Sequence, residues 1–161
     1  MEKQVHQFSY EVYNSAEELG KDDAELLNKA SLVTNDAYAP YSRFRVGAAA
    51  RLDNGQVVTG TNQENASYPA GICAERVLMS AAASLFPGVA IKTLAVSYFS
   101  ENGPSYNPIS PCGICRQSLQ EFEQRTGKSI RLILGGQNGP VHIIQQASSL
   151  LPLAFTADEL D

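Results

Sequence analysis

Thiols and imidazoles are scarce in this chain: 161 residues hold three cysteines and two histidines. An odd cysteine count without an export signal excludes a disulfide framework as the organising device. Long apolar runs are absent as well. None approaches the roughly 20 residues that a membrane-crossing helix needs. The opening stretch MEKQVHQFSYEVYNS lacks the continuous apolar segment of a signal peptide. No membrane partner is therefore expected, and the cytoplasm is the expected location. Runs of lysine or arginine are missing too, and 12 basic against 17 acidic residues give a net charge of −5. That balance is a poor electrostatic match to a polyphosphate backbone, so no nucleic acid partner is expected. A small, weakly charged ligand suits it better.

What is present reads as one ordinary folded domain, with 43% hydrophobic and 18% charged residues and no internal repeat. Residues 1–21 carry little helical or core signal and read as an N-terminal extension, leaving 22–161 as a single domain. A helix is expected from DDAE, with Asp22 as cap and Glu25 completing a capping box, ending before Pro40. Phe44, Val46, Ala48, Ala50 and Leu52 alternate along a strand, and Asn54-Gly55 marks a two-residue hairpin turn into a return strand over 56–61. A second helix starts near Cys73 and stops before Pro87-Gly88. KTLAVSYF reads as a buried strand and ENGPSYNPIS as a loop. A third helix runs from about Cys112 to Arg125. IRLIL and VHII are two more strands, followed by a short helical piece. The order α-ββ-α-β-α-β-β-α predicts an α/β fold: a three-layer α/β/α sandwich around a central mixed five-stranded sheet.

The three cysteines sit at two predicted helix starts. Cys112-x-x-Cys115 spans one helical turn and by itself fits a redox pair, but a redox pair leaves Cys73 unexplained. Three inert buried thiols are the plainer alternative. Helix N-termini favour negative charge and lower thiol pKa values. Converging thiolates would form a site for zinc, one per chain. His6 and His142 lie outside both clusters, so no fourth protein ligand is in view. Three ligands and an open position are the catalytic arrangement, in which a bound water becomes a nucleophile near neutral pH. Glu75, two residues past Cys73, is then the candidate general acid/base. Read alone, it is equally a first-turn charge that complements the helix dipole. Three thiolates outweigh the charge of zinc, so nearby positive charge is needed. Arg76 and Arg116 are the candidates, and at least one is expected to donate to a ligand sulfur, with Arg76 preferred.

Cys73-Ala74-Glu75 and Pro111-Cys112-Gly113-Ile114-Cys115 reproduce the general signature of the zinc-dependent deaminases. PYSRFRVGAA, TNQENASYPAGICAER, SPCGICRQ and LLPLAF extend the likeness, in consistent order over residues 22–160. On these motifs the chain resembles the cytidine deaminases of the small, homotetrameric, all-cysteine type. The resemblance implies hydrolytic deamination of cytidine and deoxycytidine to uridine and deoxyuridine, in pyrimidine salvage. It implies that Asn62 and Glu64 hold the ribose hydroxyls and that Phe44 packs on the pyrimidine ring. On its strand Phe44 reads equally as a core residue. Ala66 and Tyr68 match positions lining the sugar side where subunits meet, and Phe155 matches an aromatic that closes a neighbour's site. The segment 1–21 and the loop SENGPSYNPIS are longer than the pattern requires.

Three other readings compete. A deaminase of a nucleoside-like antibiotic such as blasticidin S would carry the same metal motif, though NQEN and Phe44 favour an ordinary nucleoside. An editor of cytosine in RNA or DNA conflicts with the acidic balance. A non-catalytic zinc-stabilised module would require a fourth ligand.

Overall fold

Alternation along FRVGAAARL gives the sheet two unlike faces, each covered by its own helices. The structure, a computed structural model, describes residues 1–160. Its elements in chain order are β1 (Glu11–Tyr13), α1 (Lys21–Val33), β2 (Phe44–Leu52), β3 (Val57–Thr61), α2 (Ala74–Leu85), β4 (Ile91–Ser100), α3 (Gly113–Thr126), β5 (Arg131–Gly135) and β6 (Val141–Ile144). The sheet is mixed, in the order β1-β6-β5-β4-β2-β3. β4 and β5 run parallel, joined by α3, and the other pairs are antiparallel. Among the described residues no helix is long and apolar enough to cross a membrane.

Ala48, Ala50 and Leu52 of β2, with Leu94, Val96, Leu132 and Leu134, pack against α2 and α3 through Leu78, Ala82, Leu119 and Phe122. Ala49, Ala95, Ile133, Val141 and Ile143 face the other way, against Leu26, Leu27 and Ala30 of α1. Leu78 and Leu119 are fully buried, each contributing about 1.5–3 kcal/mol of transfer free energy. Helix α2 sits directly on β3 because Gly60 has no side chain: a Cβ there would lie 2.5 Å from the Leu78 nitrogen and 2.6 Å from the Ala74 oxygen. This close seating fixes where the N-terminus of α2 emerges above the sheet.

Three expectations change. The sheet has six strands, not five, because Glu11–Tyr13 pairs with Val141–Ile143 at the edge. That strand is three residues long and mostly exposed, so it carries no apolar alternation to read. Helix α1 starts at Lys21 with Gly20 as N-cap and no side-chain cap bond, so the Asp22/Glu25 capping box does not form. The aspartates turn to the sheet instead: Asp22 pairs with Arg51 at 3.1 Å and Asp23 grips Arg131 with bonds of 2.8 and 2.7 Å. The β2–β3 turn has three residues, Asp53 to Gly55, between the Leu52 N–H and the Gln56 carbonyl. Gly55 takes the left-handed position at φ +83°, as the three-residue hairpin requires. The closing helical piece is a 3₁₀ turn, Ala147–Leu150.

Candidate active site

Helices α2 and α3 begin side by side, and the cysteines stand at their starts. Cys73 is the N-cap of α2 and Cys112 the N-cap of α3, both extended, with φ/ψ of −70°/153° and −67°/169°. Cys115, in the first turn of α3, is fully buried. Neither N-cap side chain caps the backbone of its own helix, so both thiols are free to point at each other. The Cys73 and Cys112 sulfurs are 3.6 Å apart, Cys112 and Cys115 3.5 Å, and all three lie within 4.8 Å of one another. A disulfide would need about 2.05 Å. A tetrahedral metal with bonds of about 2.3 Å sets its sulfurs about 3.8 Å apart. The donor set therefore fits a thiophilic cation, and the positive ends of two helix dipoles offset part of its negative charge.

The thiols differ in acidity. The Cys115 thiol, bonding to Cys73, pushes Cys73 down to about 6, against the opposing effect of burial and with help from Cys112 and the Arg76 charge. Cys115 is pushed up, by its bond to Cys73, by burial and by the Glu75 carboxylate.

Two glutamates are buried on these helices, and their surroundings separate them. Glu123 accepts from the backbone N–H groups of Ile130 at 2.6 Å, Ala147 at 3.0 Å and Ser148 at 3.2 Å, clasping α3 to the chain on either side of β5–β6. Glu75 is as deeply buried, 5% exposed, but lies beside the thiols. Burial raises its pKa, against its own backbone N–H and the Cys115 thiol, which both favour the charged form. A buried carboxyl whose pKa burial raises, set beside a group of thiols, is placed to move protons, whereas one tied by three amides is a clasp.

Arg116 donates from Nε to the Pro111 carbonyl at 2.8 Å and from Nη1 to the Leu150 carbonyl at 3.1 Å, tying the segment before Cys112 to the C-terminal turn. Among the described residues neither Arg116 nor Arg76 donates a hydrogen bond to a sulfur. Arg76 acts on Cys73 through its charge. It also lines a cavity of about 670 Å³ between α2 and α3 that includes none of the thiols.

The other side of the site is made of loops. After β3, Gln63 exchanges backbone hydrogen bonds of 2.9 and 3.0 Å with Ile72, next to Cys73. On its other side the Tyr38 N–H reaches the Asn62 carbonyl and the Glu64 N–H reaches Tyr38. Gln63 is thus bridged on both sides, by Tyr38 and by Ile72, and Glu64 follows it. Glu64 Oε2 accepts from the N–H groups of Tyr41 and Ser42 at 2.9 and 3.2 Å. Burial alone would raise the Glu64 pKa, but the Ser42 side chain and these two amides outweigh it and the carboxyl stays below its usual range. A cavity of about 340 Å³ opens here, lined by Tyr41, Ser42, Glu64, Asn65, Tyr68 and Gly71. Tyr68 lines it at 75% exposure, while Ala66 is exposed outside it. Asn62 is turned to β2: its Oδ1 accepts from Val46 N–H at 2.7 Å and its Nδ2 donates to the Phe44 carbonyl at 2.9 Å. Phe44 is half-buried and stacks on Tyr98, centroids 4.9 Å apart at 20°. By strand parity it faces the same side as Val46 and Ala48, the side of α2 and α3. The sequence reading missed Tyr41, Ser42 and Tyr98. The first two work through backbone N–H groups, which no side-chain pattern announces, and Tyr98 is concealed in an apolar strand.

Comparison with known proteins agrees with this geometry. Residues 20–128 match the family model described as the cytidine and deoxycytidylate deaminase zinc-binding region. The chain belongs to that deaminase family. It is 36% identical over 140 residues to the cytidine deaminase of Halalkalibacterium halodurans, covering 87% of this chain and 98% of the relative. It is 41% identical over 135 residues to that of Mycobacterium tuberculosis, covering 84% and 90%. The crystal structure of the Burkholderia pseudomallei cytidine deaminase superposes with a TM-score of 0.70 at 37% identity, covering 81% of this chain and 97% of that one. The chain is an enzyme of the cytidine deaminase type, and its three cysteines form a group with the spacing to hold a metal ion.

Proposed function

We propose that this enzyme hydrolyses cytidine and deoxycytidine to uridine and deoxyuridine, releasing ammonia. The observation that carries the reading is the convergence of Cys73, Cys112 and Cys115 beside the buried Glu75. The three thiolates would hold one zinc per chain. Zinc bound there supplies a Lewis acid that brings the pKa of a water toward neutrality. Glu75 takes a proton from the attacking water, delivers one to the ring nitrogen N3 and later assists the departing amine. Its raised pKa suits a group that must be both base and acid near neutral pH. Arg76 lowers the charge felt at Cys73.

Glu64 holds the ribose hydroxyls with its second carboxylate oxygen, since Oε2 is engaged by Tyr41 and Ser42. Asn62 supports it and fixes Phe44, which packs on the pyrimidine ring. Ala66 and Tyr68 border the sugar. The working enzyme is a homotetramer, which the exposure of Tyr68 (75%) and Phe155 (59%) supports, because apolar rings left in water by one chain are covered by another. Residues 22–161 are the catalytic domain and 1–21 an extension of it. The enzyme acts in the cytoplasm, in pyrimidine salvage, and needs neither nucleic acid nor membrane. Incubating the purified, metal-loaded protein with cytidine and following the ultraviolet change to uridine tests the reading. No spectral change at any substrate concentration would overturn it.

A further inference from the structure

The corner Tyr41–Phe44 carries Phe44 and the two N–H groups that hold Glu64, the residues that the proposed site uses against the nucleoside, and its shape is unusual. Arg43 sits in the left-handed region at φ 55°, a conformation that costs a non-glycine residue energy and persists only where its surroundings impose it. Those surroundings are identifiable. The Arg43 N–H bonds the Ala39 carbonyl at 3.0 Å, and the Phe44 N–H bonds Ser42 Oγ at 3.0 Å. Two further bonds come from the loop after β4. Asn102 Nδ2 donates to the Ser42 carbonyl at 3.2 Å, and the Glu101 N–H donates to the Arg43 carbonyl at 3.1 Å. An ion pair between Arg45 and Glu101 at 2.7 Å closes the same junction.

The loop that makes these bonds is itself anchored. The Ser100 N–H bonds Ser105 Oγ at 2.8 Å, and the Gln137 N–H bonds the Ser105 carbonyl at 2.8 Å. Ser105 lies so close to Gly136 that a Cβ there would come within 2.1 Å of its carbonyl oxygen. The Gly136 carbonyl in turn accepts from Ser97 Oγ at 3.0 Å, inside β4. A continuous set of bonds therefore runs from the sheet, through residues 100–105, to the backbone of Ser42 and Arg43. From there it reaches Glu64 through the Ser42 N–H and Phe44 through the chain.

We propose that Glu101 and Asn102 are positioning residues for nucleoside binding: they hold Ser42 and Arg43 in the conformation that aims Glu64 at the sugar and Phe44 at the base. The proposal rests on the reading of Glu64 and Phe44 as nucleoside-binding groups. It assigns a task to the loop SENGPSYNPIS, which carries none of the catalytic groups.

Steady-state kinetics with cytidine, on full-length metal-loaded protein, test it through Asn102→Ala, Glu101→Gln, Glu64→Gln, Phe44→Ala and the double variant Asn102→Ala/Glu64→Gln. Loss of the Asn102 bond raises KM by about three- to tenfold with kcat within about twofold, the size of one hydrogen bond. Glu101→Gln, breaking a partly exposed pair, raises KM by about two- to threefold. Metal content and melting temperature stay near those of the parent. In the double variant the Asn102 effect shrinks, because it acts through the Ser42–Glu64 contact, whereas a merely structural role would leave the two effects multiplicative. An unchanged KM in Asn102→Ala and Glu101→Gln, or multiplicative effects in the cycle, overturns the proposal. If Glu64→Gln and Phe44→Ala raise KM while the loop variants do not, the proposal alone falls. If none of the four moves KM, the nucleoside-site reading falls with it.

Discussion

Cys115 is fully buried in the first turn of a helix, whereas Tyr68, on the cavity beside Glu64, is 75% exposed. The two regions differ in construction as well as in exposure. The thiol side stands on two helix starts whose bodies are fixed by buried leucines, so its donors are placed by the rigid core. The loop side is placed by a few bonds of backbone groups: Tyr38 with Asn62 and Glu64, Gln63 with Ile72, and the Tyr41 and Ser42 N–H groups with the Glu64 carboxylate. Polar chemistry in a dry setting needs groups fixed in advance, which regular elements supply. Recognition of a small ligand tolerates an open wall that a second chain can finish. Damage on the thiol side should therefore abolish turnover, while damage on the loop side should weaken binding.

The strongest break is Cys115→Ala. It removes the buried member of the proposed metal site, so metal, turnover and thermal stability fall together, because metal binding and folding are coupled. Metal content by atomic absorption and a melting curve check this, and prolonged chelation of the parent protein should reproduce the result. A variant that keeps its metal would show that the three thiols do not act as one unit. Next in size, Glu75→Ala lowers kcat by at least about 10²–10⁴-fold, the usual loss for a general acid/base. Its metal content, assembly and affinity for a cytidine analogue stay intact. Loss of metal on the scale of Cys115→Ala would make Glu75 a ligand rather than a proton carrier.

Phe44→Ala sharpens the contrast from the other side. It deletes the proposed packing of Phe44 on the pyrimidine ring, an aromatic contact worth about 0.5–1.5 kcal/mol, so KM rises by up to about tenfold and kcat changes little. A large fall in kcat at saturating cytidine would move Phe44 to the chemical side of the comparison. The smallest effect is expected from Phe155→Ala. At high protein concentration its activity matches the parent, and on dilution its specific activity drops sooner. Sedimentation run beside the dilution assay tests this. An active monomer in the parent protein would remove the need for a second chain.

Much of the thiol side was legible beforehand. Cys73, Cys112, Cys115 and Glu75 fall at helix starts that the apolar spacing after them marks, and the structure brings the thiols together. The loop side was legible only in part. Asn62 and Glu64 stood out as a polar pair, yet the amide of Asn62 goes to the β2 backbone rather than into the cavity. Arg116 stood out as a possible partner of sulfur, yet it ties Pro111 to Leu150. The Asp22/Glu25 box was a sound local pattern that did not form: Asp22 pairs with Arg51, on a strand far away in sequence, and Glu25 with Lys21 on its own helix.

The sequence by itself determined the donor chemistry, the helix starts that carry it and the apolar face of β2 that α2 and α3 cover. These are periodic or side-chain signals within about one helical turn of each other. Only the tertiary structure decided the sixth strand, the corner at Arg43, the service of Tyr41 and Ser42 to Glu64, and the difference between the two buried glutamates. Those features are made by backbone N–H and carbonyl groups, which every residue carries alike, so which ones meet is fixed by packing and not by composition.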